Sequence, residues 1–331
     1  MKKKDVMLIC SVNQYGNLVT FDSDPLKGRI PIVFIGGNPE SDFKGYPLNK
    51  YPKLGIDNYN FSETAVKLYV FSWVGDEGHG SREIASGFAE SILKAPELMQ
   101  AETIYIIGLS AGGIIARCAL NINQLLAEKV KYIFTLSTPH LGAPLSDPPC
   151  VRYSVESMRG LRKLFYYFAY KHLYLTIRAN KKWCYDIIPA HSPKYPANLW
   201  EETERDLNSS QYYEVTNPSD SDSRLLTWLN SQDKYLDKVI AFAGKSTRLK
   251  SITTLGLFMQ IWMKLHLWMK TNSMYDFKES DGFVPFQSSI GAGLSMKKVI
   301  KYPDNMNHFG YMDDKELIKF IVDHITQEIK K

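Results

Sequence analysis

Apolar runs alternate with amphipathic segments through the first half of the chain. Residues 30–35, 68–73 and 104–107 are almost wholly apolar or aromatic, which is typical of parallel strands buried on both faces of a sheet. Residues 81–93 place apolar side chains at helical spacing, and Ser81 is the predicted cap of that helix. Strands that alternate with helices predict an α/β fold with a mostly parallel central sheet flanked by helices.

The pattern resumes later in the chain after two interruptions. Residues 132–136, 239–243 and 298–302 predict three further strands, and residues 314–330 predict a closing helix. We therefore predict a core interrupted twice by a helical lid. The core takes residues 1–149, 201–244 and 276–331, and the lid takes the insertions 150–200 and 245–275.

Composition narrows the class of protein further. The chain has 331 residues, of which 44% are hydrophobic, enough for one large domain with insertions. Its four cysteines are far apart, which argues against a zinc cluster or a dense disulfide framework. The apolar run at residues 6–10 is too short for a signal peptide, and no run is long enough to span a membrane. We therefore predict a cytoplasmic protein that could also act peripherally at a membrane.

The candidate nucleophile is Ser110. Residues 108–112 read Gly-x-Ser-x-Gly between a predicted strand and an apolar helix, the context of a nucleophile elbow. Gly108 and Gly112 are expected because side chains there would collide with neighbouring backbone. The alternative is a glycine-rich turn whose serine has no chemical role.

A nucleophilic serine needs a base and an acid, which in this type of fold follow it in the order acid, base. His308 lies directly after the last predicted strand and is the predicted base. Asp281 lies between the two on a turn and is the predicted acid. The other candidate acids are Asp276, Glu279 and Asp304. Among the other histidines, His79 and His140 precede the expected position of the base. His172 and His266 lie in the insertions, and His324 lies in the closing helix.

The oxyanion of the tetrahedral intermediate needs two N–H donors. One is predicted to be the amide of Ala111, which follows the nucleophile. The second should come from the loop after residues 30–35. Because Pro39 has no N–H, Asn38 is the preferred donor and Gly37 the second choice.

Together these segments resemble the lipase group of α/β-hydrolases, the triacylglycerol-lipase-like and inositol-deacylase-like serine esterases. The matching segments are residues 30–37, 108–113, 137–144, 280–285 and 307–310. The resemblance implies a Ser110–His308–Asp281 triad without a cofactor, and a structural role for His140. Two positions depart from the pattern. Gly36 stands where most relatives have histidine, and Gly310 stands where secreted bacterial lipases often have a calcium-binding aspartate, so we predict no such metal site.

The two insertions are basic and aromatic. Residues 157–185 hold seven basic residues and residues 245–275 hold five, with no acidic residue in either segment. Because the whole chain has a net charge of +5, the remainder carries about −7. We predict that the lid docks on an anionic lipid surface, with Phe165, Phe168, Trp262 and Trp268 as candidate lipid or substrate contacts. The alternative is a cap that only packs on the core.

The sequence thus predicts a serine hydrolase that cleaves carboxylic esters, most readily lipid acyl esters, through an acyl-enzyme. A thioesterase or an acyltransferase on the same triad is the first alternative. A catalytically silent lipid- or protein-binding module is the second. No motif indicates nucleic-acid binding, and the sequence leaves the oligomeric state open.

Overall fold

A computed structural model of the chain describes the core and a short part of the first insertion. The residues described are 6–12, 18–19, 28–37, 64–74, 81–143, 155, 158–169, 225–246, 279–301, 306–308 and 310–330.

One sheet of eight strands organises the described residues. The strands are β1 (Val6–Val12), β2 (Leu18–Val19), β3 (Ile30–Ile35), β4 (Val66–Val74), β5 (Ile104–Leu109), β6 (Val130–Leu136), β7 (Val239–Ala243) and β8 (Lys298–Lys301). Their order across the sheet is β2-β1-β4-β3-β5-β6-β7-β8. The six strands β3 to β8 are parallel to one another, whereas β1 runs antiparallel to its two neighbours, β4 and β2. The predicted α/β fold with a mostly parallel sheet is confirmed.

Helices follow the strands in the predicted alternation. They are α1 (Ser81–Lys94), α2 (Pro96–Gln100), α3 (Ala111–Ile122), α4 (Gln124–Lys129), α5 (Gly160–Ala169), α6 (Leu225–Gln232), α7 (Phe286–Ser289), α8 (Gly310–Asp313) and α9 (Lys315–Ile329), with a 3₁₀ turn at Leu236–Lys238. The side chain of Asp314 caps α9 by accepting from the amides of Glu316 and Leu317.

The central strands of the sheet are buried on both faces. Along β3, Val33 and Ile35 pack with α1 and α3 on one face, while Ile32 and Phe34 pack with α9 on the other. Successive side chains of a strand point to opposite faces, so a continuous apolar run is the expected sequence for such a strand. Because β3 to β8 are parallel, their carboxyl ends meet at one edge of the sheet, where sites form in open α/β sheets.

Sequence patterns did not predict every element. The antiparallel strands β1 and β2 and the helix α6 are additions to the predicted fold. Most of residues 150–200 and nearly all of residues 245–275 lie outside the described residues, so the lid stays a prediction. In the described part of the chain, each helix is too short or too polar to cross a membrane.

Candidate active site

Ser110 lies on a tight bend between β5 and α3. Its backbone adopts φ 54° and ψ −129°, which is strained for a residue with a side chain. Its N–H donates to the carbonyl of Leu136 over 2.9 Å and so fixes the bend to the end of β6. A Cβ on Gly112 would collide with the carbonyl of Ile35, which explains why the bend needs glycine there.

His308 and Asp281 meet Ser110 at the carboxyl edge of the sheet. The His308 Nε2 atom lies 3.1 Å from Ser110 Oγ, and His308 Nδ1 lies 3.0 Å from Asp281 Oδ2. A neutral imidazole that donates from Nδ1 to the carboxylate leaves Nε2 free to accept the serine proton. The predicted base, His308, is therefore within hydrogen-bond distance of both the predicted nucleophile, Ser110, and the predicted acid, Asp281.

The backbone of the acid turn holds Asp281 in place. The amides of Phe283 and Val284 donate to Asp281 Oδ1 over 3.0 and 2.9 Å, and the carbonyl of Asp281 accepts from the amide of His308 over 3.0 Å. The carboxyl group is fully buried. Burial alone would raise its pKa, but the charge of His308 and the hydrogen bonds from His308, Ser137 and Val284 lower the pKa below its ordinary value of 3.8. Asp281 is therefore ionised at neutral pH.

The candidate oxyanion hole lies beside Ser110. Ala111 is the first residue of α3, where the helix itself offers no acceptor for the amide N–H and where the helix dipole is positive. Gly37 is buried and packs closely against the bend. A Cβ added to Gly37 would lie only 2.7 Å from both Ser110 Cβ and Ala111 N. These two predicted donors are therefore close to the nucleophile. Asn38, the preferred second donor, lies outside the described residues.

Of the predicted lid residues, Phe165 and Phe168 lie in α5, and only their backbone is described. Trp262 and Trp268 lie outside the described residues, as do the alternative acids Asp276 and Asp304. Glu279, another alternative acid, pairs with Lys245 over 2.9 Å.

Within the described ranges, no group of three or more His, Cys, Asp or Glu residues is arranged to hold a metal ion.

Ser137 is a site residue that sequence reasoning missed. It directly follows β6, is fully buried, and has φ 48°. Its Oγ donates to Asp281 Oδ2 and lies 2.9 Å from His308 Nδ1. The available signal was its position at the carboxyl end of a predicted strand, within the segment 137–144 that carries the family resemblance.

A buried polar network lies behind the nucleophile helix. Arg117 donates to Asp233 over 2.8 Å and to Asn230 over 2.9 Å, and its guanidinium lies 3.0 Å from His140 Nδ1. The other ring nitrogen of His140 lies 3.0 Å from the hydroxyl of Thr135. Burial lowers the pKa of His140 well below its ordinary value of 6.5, and the charge of Arg117 lowers it further, so His140 is neutral. His140 thus ties the loop after β6 to α3.

Sequence comparisons relate part of the chain to known proteins. A family described as "PGAP1-like alpha/beta domain" matches residues 84–156. A GPI inositol-deacylase from Aspergillus fumigatus is 43% identical over 51 residues, which are 15% of this chain and 4% of that protein. A GPI inositol-deacylase from Aspergillus terreus matches to the same extent. The chain therefore aligns with only a small part of these relatives.

Solved structures extend the likeness to nearly the whole chain. The mature lipase BlEst2 of Bacillus licheniformis superimposes with a TM-score of 0.51 at 14% identity, covering 95% of this chain and 96% of that one. Lipase 1 of Pelosinus fermentans gives a TM-score of 0.52 at 14% identity, covering 91% and 99%. At these identities the likeness concerns the fold. The chain therefore has the fold of these lipases, and its residues 84–156, which contain the Ser110 bend, are similar to the PGAP1-like alpha/beta domain family.

Proposed function

We propose that the protein is a serine hydrolase that cleaves carboxylic esters of lipids through an acyl-enzyme. The observation that carries the proposal is the chain of hydrogen bonds from Ser110 through His308 to Asp281 at the carboxyl edge of the sheet. The strained backbone of Ser110 supports it, because such strain is concentrated at functional sites.

The proposed reaction uses each group in turn. Ser110 Oγ attacks the ester carbonyl carbon while His308 Nε2 takes its proton, and the amides of Ala111 and Gly37 or Asn38 stabilise the oxyanion. The bond to the leaving alcohol then breaks, and His308 returns the proton to that alcohol. Water attacks the acyl-Ser110 ester while His308 takes a proton from the water. The bond to Ser110 Oγ then breaks, His308 returns the proton to that oxygen, and the carboxylic acid is released. Asp281 orients the imidazole and stabilises its charged form.

The names of the matched proteins support a lipid acyl ester as substrate. The curated relatives are called GPI inositol-deacylases, and the two superimposed structures are lipases. A thioesterase or an acyltransferase would use the same three residues, and the choice among them depends on the group that leaves and the group that accepts the acyl chain.

A series of p-nitrophenyl esters and matched acyl thioesters tests the reaction class. We expect p-nitrophenol release from the esters, with kcat/KM for acyl chains of eight carbons or more above that for acetate, because a lipid acyl site buries additional methylene groups. Each ester should react faster than its thioester. A higher kcat/KM for thioesters would favour the first alternative, and no turnover of any substrate would favour the silent module.

We further propose that the insertions 150–200 and 245–275 form a lid that meets an anionic membrane. In α5, Leu161 is 85% exposed and Leu164 is 57% exposed, and the cations of Arg159 and Lys163 are exposed beside them. Exposed leucines among basic residues suit a surface that offers both acyl chains and negative charge. Each Lys or Arg held near such a surface contributes about 1 kcal/mol.

Vesicle sedimentation tests the membrane proposal. We expect the protein to bind phosphatidylglycerol vesicles more strongly than phosphatidylcholine vesicles, and the variant Leu161→Glu/Leu164→Glu to lose about tenfold or more of that binding. The matched control is Leu125→Glu, which changes a leucine of α4 that is 44% exposed and should have little effect. Equal binding by the double variant and the wild type would show that α5 does not contact the membrane.

A further inference from the structure

The loop after β6 has an unusual backbone at its first residue. Ser137 adopts φ 48°, and Ser110 is the only other described residue apart from glycine with a positive φ. The N–H of Ser137 donates to the carbonyl of Phe242 over 3.0 Å, which extends the pairing of β6 with β7. Glycine would adopt this conformation without strain, so a serine here indicates that its side chain is needed.

The hydroxyl of Ser137 is directed at the acid and the base together. Its proton is donated to Asp281 Oδ2, the same oxygen that lies 3.0 Å from His308 Nδ1. Its oxygen lies 2.9 Å from that Nδ1 atom, so the imidazole N–H faces both the carboxylate and the hydroxyl. With two backbone amides on Oδ1, both oxygens of the buried carboxylate are occupied by donors.

The rest of this loop is fixed to α7, which follows the acid turn, and to the helix α3. The Ser288 hydroxyl accepts from the amide of Leu141 over 3.0 Å and donates to the carbonyl of Gly142 over 2.7 Å. His140, further along the loop, contacts Arg117 of α3. Ser137 is therefore presented by a segment that is anchored on two sides.

We propose that Ser137 is a positioning residue that holds the Asp281 carboxylate in the orientation required to align His308 with Ser110. This inference rests on the proposed esterase activity. If only Oδ1 were hydrogen-bonded, to the two backbone amides, the carboxylate could still rotate about that oxygen. The hydrogen bond from the Ser137 hydroxyl to Oδ2 prevents this rotation. The hydroxyl also disperses the negative charge that the imidazolium meets during the reaction.

Three substitutions test the proposal in the 331-residue protein with a p-nitrophenyl ester. Ser137→Ala removes the hydroxyl and should lower kcat about 10- to 100-fold with little change in KM, the range expected for a hydrogen bond to a charged group. Ser137→Gly should lose as much activity but unfold at an equal or higher temperature, because glycine relieves the backbone strain. Ser137→Cys keeps a weak donor and should restore part of kcat. Ser91→Ala, which removes a hydroxyl on α1 bonded to the carbonyl of Gly87, is the matched control.

The outcomes separate this inference from the proposed function. A wild type that neither hydrolyses esters nor reacts with a fluorophosphonate would contradict the proposed function itself. If the wild type is active and Ser137→Gly keeps its kcat, the serine serves only the turn and the positioning role is wrong. A loss of activity by Ser137→Ala that comes with a lower unfolding temperature, both of which Ser137→Gly restores, would likewise reduce Ser137 to a structural residue.

Discussion

Ser110→Ala is expected to lower kcat for ester hydrolysis by about 10⁴- to 10⁶-fold, because the substitution removes the oxygen atom that forms the acyl-enzyme in the proposed reaction. His308→Ala should cost about as much, since members of a triad act as one unit and their effects are not additive. Asp281→Asn should cost about 10⁴-fold, because an amide can present the wrong group to the imidazole and favour the wrong tautomer. The measurement is kcat and KM with one p-nitrophenyl ester for all variants.

The fold should survive these substitutions. Ser110 makes its structural contact through its backbone N–H, which donates to Leu136 and is kept by alanine. Circular dichroism and the unfolding temperature of Ser110→Ala should therefore match those of the wild type. If Ser110→Ala retained more than about 1% of kcat with an unchanged fold, Ser110 would not be the nucleophile.

Removing one member of the buried Arg117–Asp233 pair is expected to cost about 3–5 kcal/mol of unfolding free energy. Both side chains are fully buried, and the Arg117 guanidinium lies within 3.0 Å of Asp233, Asn230 and His140. Burial lowers the pKa of Arg117, but the charge and hydrogen bond of Asp233 oppose that shift. Asp233→Asn therefore leaves a charged guanidinium in the interior with no counter-charge. Urea unfolding followed by tryptophan fluorescence measures the loss.

An exposed pair in the same protein provides the control. Lys94 and Glu90 are 2.9 Å apart on the surface of α1, almost the same distance as in the buried pair. Glu90→Gln should change the unfolding free energy by about 0.5 kcal/mol or less, because solvent screens the pair. The variant Arg117→Met/Asp233→Leu should recover much of the stability lost by Asp233→Asn, since it buries no unpaired charge. Equal effects of Asp233→Asn and Glu90→Gln would contradict the role assigned to burial.

Elements buried on both faces were the most predictable part of the fold. The strands β3, β5 and β7 have continuous apolar sequences because both of their faces are covered, and this pattern needs no knowledge of their partners. The antiparallel strand β1 was not predicted, because its short apolar run at residues 6–10 does not by itself distinguish a strand from a helical segment. The helix α6 lies in a polar stretch, residues 200–236, for which no element was predicted.

The proposed triad could be predicted because each member follows a strand or lies on a recognisable turn. Ser110, Asp281 and His308 are separated by up to 198 positions, yet the parallel sheet brings the ends of its strands to one edge. Ser137 could not be predicted in the same way, because its role depends on a positive φ and on the direction of a short side chain. Arg117 and Asp233 are 116 positions apart, and nothing in their local sequence links them.

Covalent labelling most directly tests whether Ser110, activated by His308, is the nucleophile. The wild-type protein is incubated with a fluorophosphonate, and the adduct is located by mass spectrometry of the intact chain and of its peptides. We expect one adduct per chain on Ser110, none on Ser110→Ala, and slow labelling of His308→Ala because the hydroxyl then lacks its base. No adduct on the wild type, or an adduct on a different serine, would contradict the proposed triad.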